Sequence, residues 1–201
     1  MLVDAIKKYE ECIDEKDPGR LKLFNPGLTE DEIQSIISTL SIELPEELVE
    51  LYMWRNGLKG YDYLEDFFNG YTFVPLHVAV QTYQQCLEVT EQVTGNKPRY
   101  WPKSDIIKYG ALPVFQTDKH YLGIAGTKTK ESKTPIYSCS CWPEGEYPIF
   151  TSLEAVFLTL SSCYEKGILP IPEEEDPYEY FEDIDSVRVA VDQNSYQESN
   201  Y

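Results

Sequence analysis

Few residues in this chain have the types and spacing that catalysis requires. Histidine is the commonest acid or base near neutrality, and only His77 and His120 are present. His77 falls where a strand pattern gives way to a helix pattern, and His120 sits beside a tight Asp118-Lys119 turn; each reads as a surface or capping residue. Cys139-Ser140-Cys141 puts two thiols on one side of a strand, because alternate strand residues face the same way. With His120 they would supply three metal ligands and still lack a fourth. Two small apolar residues on a buried strand face account for the pair more simply. Asp183-Ile184-Asp185 lacks the glycine and the terminal glutamate of a calcium loop. The chain contains none of G-x-S-x-G, G-x-x-x-x-G-K-[ST], H-E-x-x-H, C-x-x-C or G-x-G-x-x-G, so the hydrolase, P-loop, zinc-protease, thioredoxin and dinucleotide readings have no motif behind them. No catalytic residue, metal site or cofactor is expected.

The remaining clusters suit binding. Tyr61, Tyr63, Phe67, Phe68 and Tyr71 place five aromatics within eleven residues, around Glu65 and Asp66. Rigid aromatics among acids make a hot-spot patch for a basic protein. Phe67, Phe68 and Tyr71 also suit the edge of a core beneath a long loop, and on the residues alone both readings stand. The segment Lys97-Pro98-Arg99-Tyr100-Trp101-Pro102-Lys103 is the one cationic stretch, but it faces a net charge of −18 over the chain. It reads as a surface linker, and direct docking on nucleic acid is not expected.

The elements that must position these residues follow from patterning. With 201 residues, 42% of them hydrophobic, and 16 Tyr, 8 Phe and 3 Trp, the chain can bury a sizeable core and is not a wholly disordered acidic polymer. Leu2, Ile6, Tyr9 and Ile13 recur at helical spacing up to Asp17-Pro18-Gly19, and a loop is expected through Asn25-Pro26-Gly27. Thr29 with Glu32 forms a capping box ahead of Ile33, Ile36, Ile37 and Leu40. Leu44-Pro45 opens a helix through Leu48, Leu51 and Tyr52, which Asn56-Gly57 should stop. Residues 58 to 70 show no period and read as a loop. Tyr71 to Leu76 reads as a strand, and Val80, Tyr83 and Leu87 as a helix. Leu112 to Thr117, Tyr121 to Ala125, Ile136 to Trp142 and Tyr147 to Phe150 then read as an antiparallel meander. Ser152 caps a last helix carrying Leu153, Val156, Phe157, Leu160 and Tyr164, with Gly167 as its stop. Helices, then sheet, then helix predict an α+β fold, an antiparallel-dominated sheet packed against helices.

Composition changes at Pro170. Residues 170 to 201 hold ten acids and one arginine, a net −9, which is half the charge of the whole chain. This segment, with Glu173 to Asp183 alternating acids and aromatics, reads as an acidic tail, and Val187 to Val191 as an edge strand. Three regions are expected: 1–27, an N-terminal helix and loop; 28–169, the main domain; and 170–201, the tail. The five cysteines are odd in number and scattered, no Asn-x-Ser/Thr sequon is present, and neither a signal-peptide core nor a membrane-spanning run occurs. A cytoplasmic protein with reduced thiols and no membrane partner is expected.

The residues also resemble a known family. Leu44-Pro45-Glu46-Glu47-Leu48 leading to Leu51-Tyr52-Met53-Trp54-Arg55-Asn56-Gly57 is similar to the opening signature of the SMI1/KNR4 (SUKH) superfamily. Phe73-Val74-Pro75-Leu76, Leu112-Pro113-Val114-Phe115, Tyr121-Leu122-Gly123-Ile124, Pro135-Ile136-Tyr137 and Ser152-Leu153-Glu154-Ala155-Val156-Phe157 follow in the family's order, over roughly residues 28 to 165. The resemblance implies a non-catalytic α+β binding module. In bacteria such modules serve mostly as immunity proteins against polymorphic toxins, often nucleases; fungal relatives regulate cell-wall synthesis and signalling. A chain without long disordered flanks looks more bacterial than fungal. The expected partner is therefore a basic toxin domain, with a regulatory or scaffold protein as the alternative. Tyr61, Asp62, Tyr63, Glu65, Asp66 and Phe68 are the candidate contacts, because loops carry binding while rigid elements hold them.

Overall fold

The computed structural model describes residues 1–40, 42–60, 67, 70–94, 111–117, 120–125, 133–140, 147–171 and 180–198. In chain order these form α1 (Leu2–Lys16), a 3₁₀ turn (Arg20–Leu23), β1 (Phe24–Pro26), α2 (Glu30–Ile37), α3 (Glu46–Trp54), β2 (Arg55–Leu58), β3 (Thr72–Phe73) and α4 (Leu76–Thr94). Then come β4 (Ala111–Gln116), β5 (His120–Ala125), β6 (Ile136–Ser140), β7 (Tyr147–Phe150), α5 (Leu153–Glu165) and α6 (Phe181–Glu198). β3 to β7 make a five-stranded antiparallel meander in sequence order, and β1 pairs with β2 in a separate antiparallel ribbon. The fold is α+β, as the patterning predicts.

Helix starts follow local chemistry. Thr29 and Glu32 close a reciprocal capping box on α2, with the Thr29 N–H donating to Glu32 Oε2 at 2.8 Å and the Glu32 N–H to Thr29 Oγ1 at 3.3 Å. Ser152 Oγ accepts the Ala155 N–H at 3.2 Å and caps α5. The left-handed Gly167, at φ +73°, follows that helix.

Three local expectations are corrected. Asn25-Pro26-Gly27 is not simply a loop, and Asn56-Gly57 does more than stop a helix: Phe24–Pro26 and Arg55–Leu58 are the two strands of the ribbon. Neither stretch has strand propensity, and each becomes a strand because its partner arrives from a distant part of the chain. Val187 to Val191 is helical within α6 rather than an edge strand. Its β-branched residues alternate, but Ile184, Val187 and Val191 also share one helical face, and burial of that face against Cys163, Ile168 and Leu169 decides the outcome.

One core joins α1, the β1–β2 ribbon, α2 to α4, the sheet and α5. Tyr9 of α1 is its hub, edge-on to Phe157 at 5.4 Å, Tyr164 at 6.1 Å, Phe67 at 6.2 Å and Trp54 at 6.3 Å. α1 lies along α5, where Cys12 Sγ reaches the Ser161 carbonyl and Lys16 Nζ donates to the Tyr164 carbonyl at 2.8 Å. A smaller cluster of Cys163, Ile184 and Val187 fastens α6 to α5.

Candidate protein-binding surface

Leu44-Pro45-Glu46-Glu47 sets the first strut of the surface. Pro45 stands at the N-cap of α3, and Glu47 in its first turn is buried, 4% exposed. Its Oε2 accepts the Leu153 N–H at 3.0 Å, placing a carboxylate on the N-terminus of α5, where unpaired backbone donors favour negative charge. Its Oε1 has no hydrogen-bond partner among the described residues. Burial pushes the Glu47 carboxyl up to about 7, against the lowering pull of the Leu153 and Glu154 amides and of Lys133. Patterning alone does not single out Glu47 as a buried residue. The signal that would have found it is helical spacing: Leu44 three residues before and Leu51 four after put Glu47 on the apolar face, while Glu46 and Glu50 lie outward.

Asn56 and Gly57 form the second strut. Asn56 Oδ1 accepts the Leu76 N–H at 2.9 Å, so a residue of β2, just past α3, caps α4. Asn25 Nδ2 donates to the Asn56 and Leu58 carbonyls at 3.0 and 3.1 Å and ties β1 across the junction. Gly57 adopts φ +72°, and a Cβ there would meet Pro75 N at 2.3 Å and the Val74 carbonyl carbon at 2.5 Å. Only glycine meets both demands. Asn56-Gly57 and Val74-Pro75-Leu76 are thus one contact. Gly27 is similarly constrained, since a Cβ would lie 1.8 Å from the Met53 carbonyl oxygen.

Phe67, the described residue within 61–69, belongs to the core. It is 2% exposed, stacks on Phe115 with ring centroids 5.3 Å apart and planes 4° from parallel, and meets Phe24, Phe73 and Phe157. Its N–H donates to the Tyr71 carbonyl at 2.7 Å, and its own carbonyl accepts from the Arg20 guanidinium at 3.3 Å. Arg20 stands 3.7 Å from Asp17, which also accepts the Tyr164 hydroxyl at 3.2 Å. For Phe67 the core-edge reading is therefore the right one, and Arg20 is a positioning residue that composition gave no reason to select. The candidate contacts Tyr61, Asp62, Tyr63, Glu65, Asp66 and Phe68 lie outside the described residues.

Beside Tyr71 lies a cleft of about 100 Å³, lined by Leu122, Ile149 and Phe150 of the sheet and by Ile184, Asp185 and Arg188 of α6. The pairing of β6 with β7 shifts register at Ile149, and Arg188 takes that residue's carbonyl at 2.8 Å. The guanidinium also pairs with Asp185 at 2.7 Å and lies 5.9 Å from the Phe150 ring centroid.

His77 and His120 are both exposed, and His120 closes its turn by donating its N–H to Thr117 Oγ1 at 2.8 Å. They stand on different elements, α4 and β5. Cys139 lies on β6 opposite Tyr121, whereas Cys141 and the 97–103 connector lie outside the described residues. Among the described residues no group of three or more His, Cys, Asp or Glu could hold a metal ion, and no helix is long and apolar enough to cross a membrane.

Comparison with protein families matches residues 27–159 to the SMI1 / KNR4 family (SUKH-1). The chain belongs to this family. The SMI1/KNR4 match opens at Gly27, the glycine pressed under α3, and closes at Thr159 within α5. The Glu47–Leu153 and Asn56–Leu76 contacts, Phe67 and the whole meander fall inside it, while α1, Arg20, β1 and α6 fall outside. Comparison with curated proteins finds no match.

Proposed function

We propose that this SMI1/KNR4 protein is an immunity-type binding module that neutralises a basic toxin domain by direct, non-covalent association. The observation that carries the reading is the anchoring of Phe67 itself, by a buried ring and two hydrogen bonds of its backbone, next in sequence to the candidate contacts Tyr61, Asp62, Tyr63, Glu65, Asp66 and Phe68. Fixing the root of a loop lowers the ordering entropy lost on binding. Charge supports the same partner. A protein at −18 attracts a domain that is itself basic because it grips phosphates, and this steering accelerates encounter.

The test begins with the DNA on either side of the gene. A neighbouring gene for a long secreted protein ending in a small basic domain supplies the partner, and the two purified proteins should form a complex that blocks the toxin's activity. Failure of that domain to bind overturns the reading. A regulatory or scaffold role is favoured instead if the neighbours are ordinary metabolic genes and partners are lost on removal of residues 170–201, the segment with half the net charge.

A further inference from the structure

We propose that α6 is an electrostatically loaded strap, whose closure over α5 and β7 strengthens when its carboxylates are neutralised by salt or by a cationic protein surface. The inference deepens the binding reading, because the strap shares a cleft with Tyr71, the residue to which Phe67 is tied.

The hold is narrow. Ile184 and Val187, at 4% and 3% exposed, are the fully buried apolar side chains of the strap among the described residues, and Val191 is partly buried. Arg188 adds one bracket, from its guanidinium to the Ile149 carbonyl. The cleft of about 100 Å³ runs along the Ile184, Asp185 and Arg188 side of the strap.

The load is charge. Phe181–Glu198 holds five acids and one arginine, a net −4, and the first 169 residues carry −9. Among the described residues, Glu182 and Asp183 are exposed and make no ion pair with the rest of the chain, and the Asp185 to Arg188 pair lies within the strap. Seating α6 therefore brings two acidic bodies together. The cost falls as the Debye length shortens from about 30 Å at 0.01 M salt to about 10 Å at 0.1 M. A basic partner covering the carboxylates lowers it in the same sense.

Cys163 reports closure. It is fully buried in a cluster with Ile184 and Val187 that is separate from the main core, and burial pushes its thiol up to about 11, so modification requires opening. The full-length reduced protein is treated with N-ethylmaleimide at about 0.01 M and about 0.3 M salt, conditions of weak and strong screening. Labelling of Cys163 is followed by peptide mass spectrometry relative to the half-buried Cys12. The Cys163 rate, so normalised, should be at least about fivefold higher at low salt, as expected when about 1 kcal/mol of repulsion is screened. At low urea it should be nearly independent of denaturant, as local opening is. A salt-independent ratio, or a urea dependence equal to that of global unfolding, overturns the proposal. Ile184→Ser should raise the Cys163 rate at both salt concentrations; no change would show that α6 does not guard the thiol. Pentalysine at constant ionic strength should slow labelling, and acceleration overturns the partner coupling. No toxin enters these measurements, so failure of the strap and failure of the toxin reading are separately visible.

Discussion

Glu47 and Leu153, separated by 106 positions in the chain, meet where the Glu47 carboxylate accepts the first backbone N–H of α5 at 3.0 Å. The contact locks α3, which leads into the Asn56-Gly57 junction, to the helix that carries the aromatic hub's partners Phe157 and Tyr164. A buried carboxyl in this position satisfies a helix end and carries a desolvation cost at the same time.

That cost sets a pH dependence. The Glu47 carboxyl is raised from 4.5 to about 7, with burial the dominant cause. A raised folded value means that its stabilising contribution is complete below pH 4.5 and is lost as pH rises through 7. The loss is about 3 kcal/mol at most. In urea unfolding at pH 5 and pH 8, Glu47→Gln should flatten the site's pH dependence while keeping an acceptor for Leu153. The difference between wild type and variant isolates this site from the other acids. An identical slope in both proteins would exclude Glu47 as its source.

Glycine substitutions separate tertiary crowding from backbone strain. Gly57 and Gly60 both have positive φ, at +72° and +59°, but among the described residues a Cβ on Gly60 meets nothing within 4 Å. Gly60→Ala should cost about 1 kcal/mol. Gly57→Ala should cost about 3 kcal/mol or more, because Val74 and Pro75 must move as well. Thermal melts of the two variants give the comparison, and equal shifts in Tm would remove the crowding argument.

Asn56→Ala removes the acceptor for the Leu76 N–H at the start of α4. Losses of such caps cost about 1 kcal/mol. Hydrogen exchange should show the first turn of α4 opening more readily than in wild type, with α5 protection changed only by the global loss.

Phe67→Ala empties the site between Phe115, Phe73 and Phe24, and should cost about 3–5 kcal/mol in denaturant unfolding. Arg20→Met retains much of the volume and removes the donor to the Phe67 carbonyl, so it should lower stability by less than Phe67→Ala does. A larger loss for Arg20→Met would place the anchor's strength in the guanidinium instead of the ring.

For the proposed toxin complex, combined alanine substitution at Tyr63, Glu65 and Phe68 should weaken binding by at least about tenfold, given the weight that central aromatics carry in interfaces. Raising salt should slow association more than it speeds dissociation. Titration calorimetry and stopped-flow mixing read the two effects. Unchanged affinity in the triple variant would exclude this segment as the contact surface.

Periodicity, caps and turns act over three or four residues, and their consequences were legible in the sequence: the Thr29 capping box, the Ser152 cap, the helical stripes of α1 and α5, and the order of the meander. The α+β class and the family's motif order were legible for the same reason, since each rests on short stretches read independently. The tertiary structure alone decided what each motif touches. Glu47 is buried because α5 arrives above it, Gly57 is irreplaceable because Val74 and Pro75 press on it, and Phe67 belongs to the core because Phe115 stacks on it. The alternating valines of α6 became helical because Cys163 and Leu169 offered a helical stripe something to bury against. These outcomes depend on close packing between residues distant in the chain, and local patterning carries no information about which surfaces will meet.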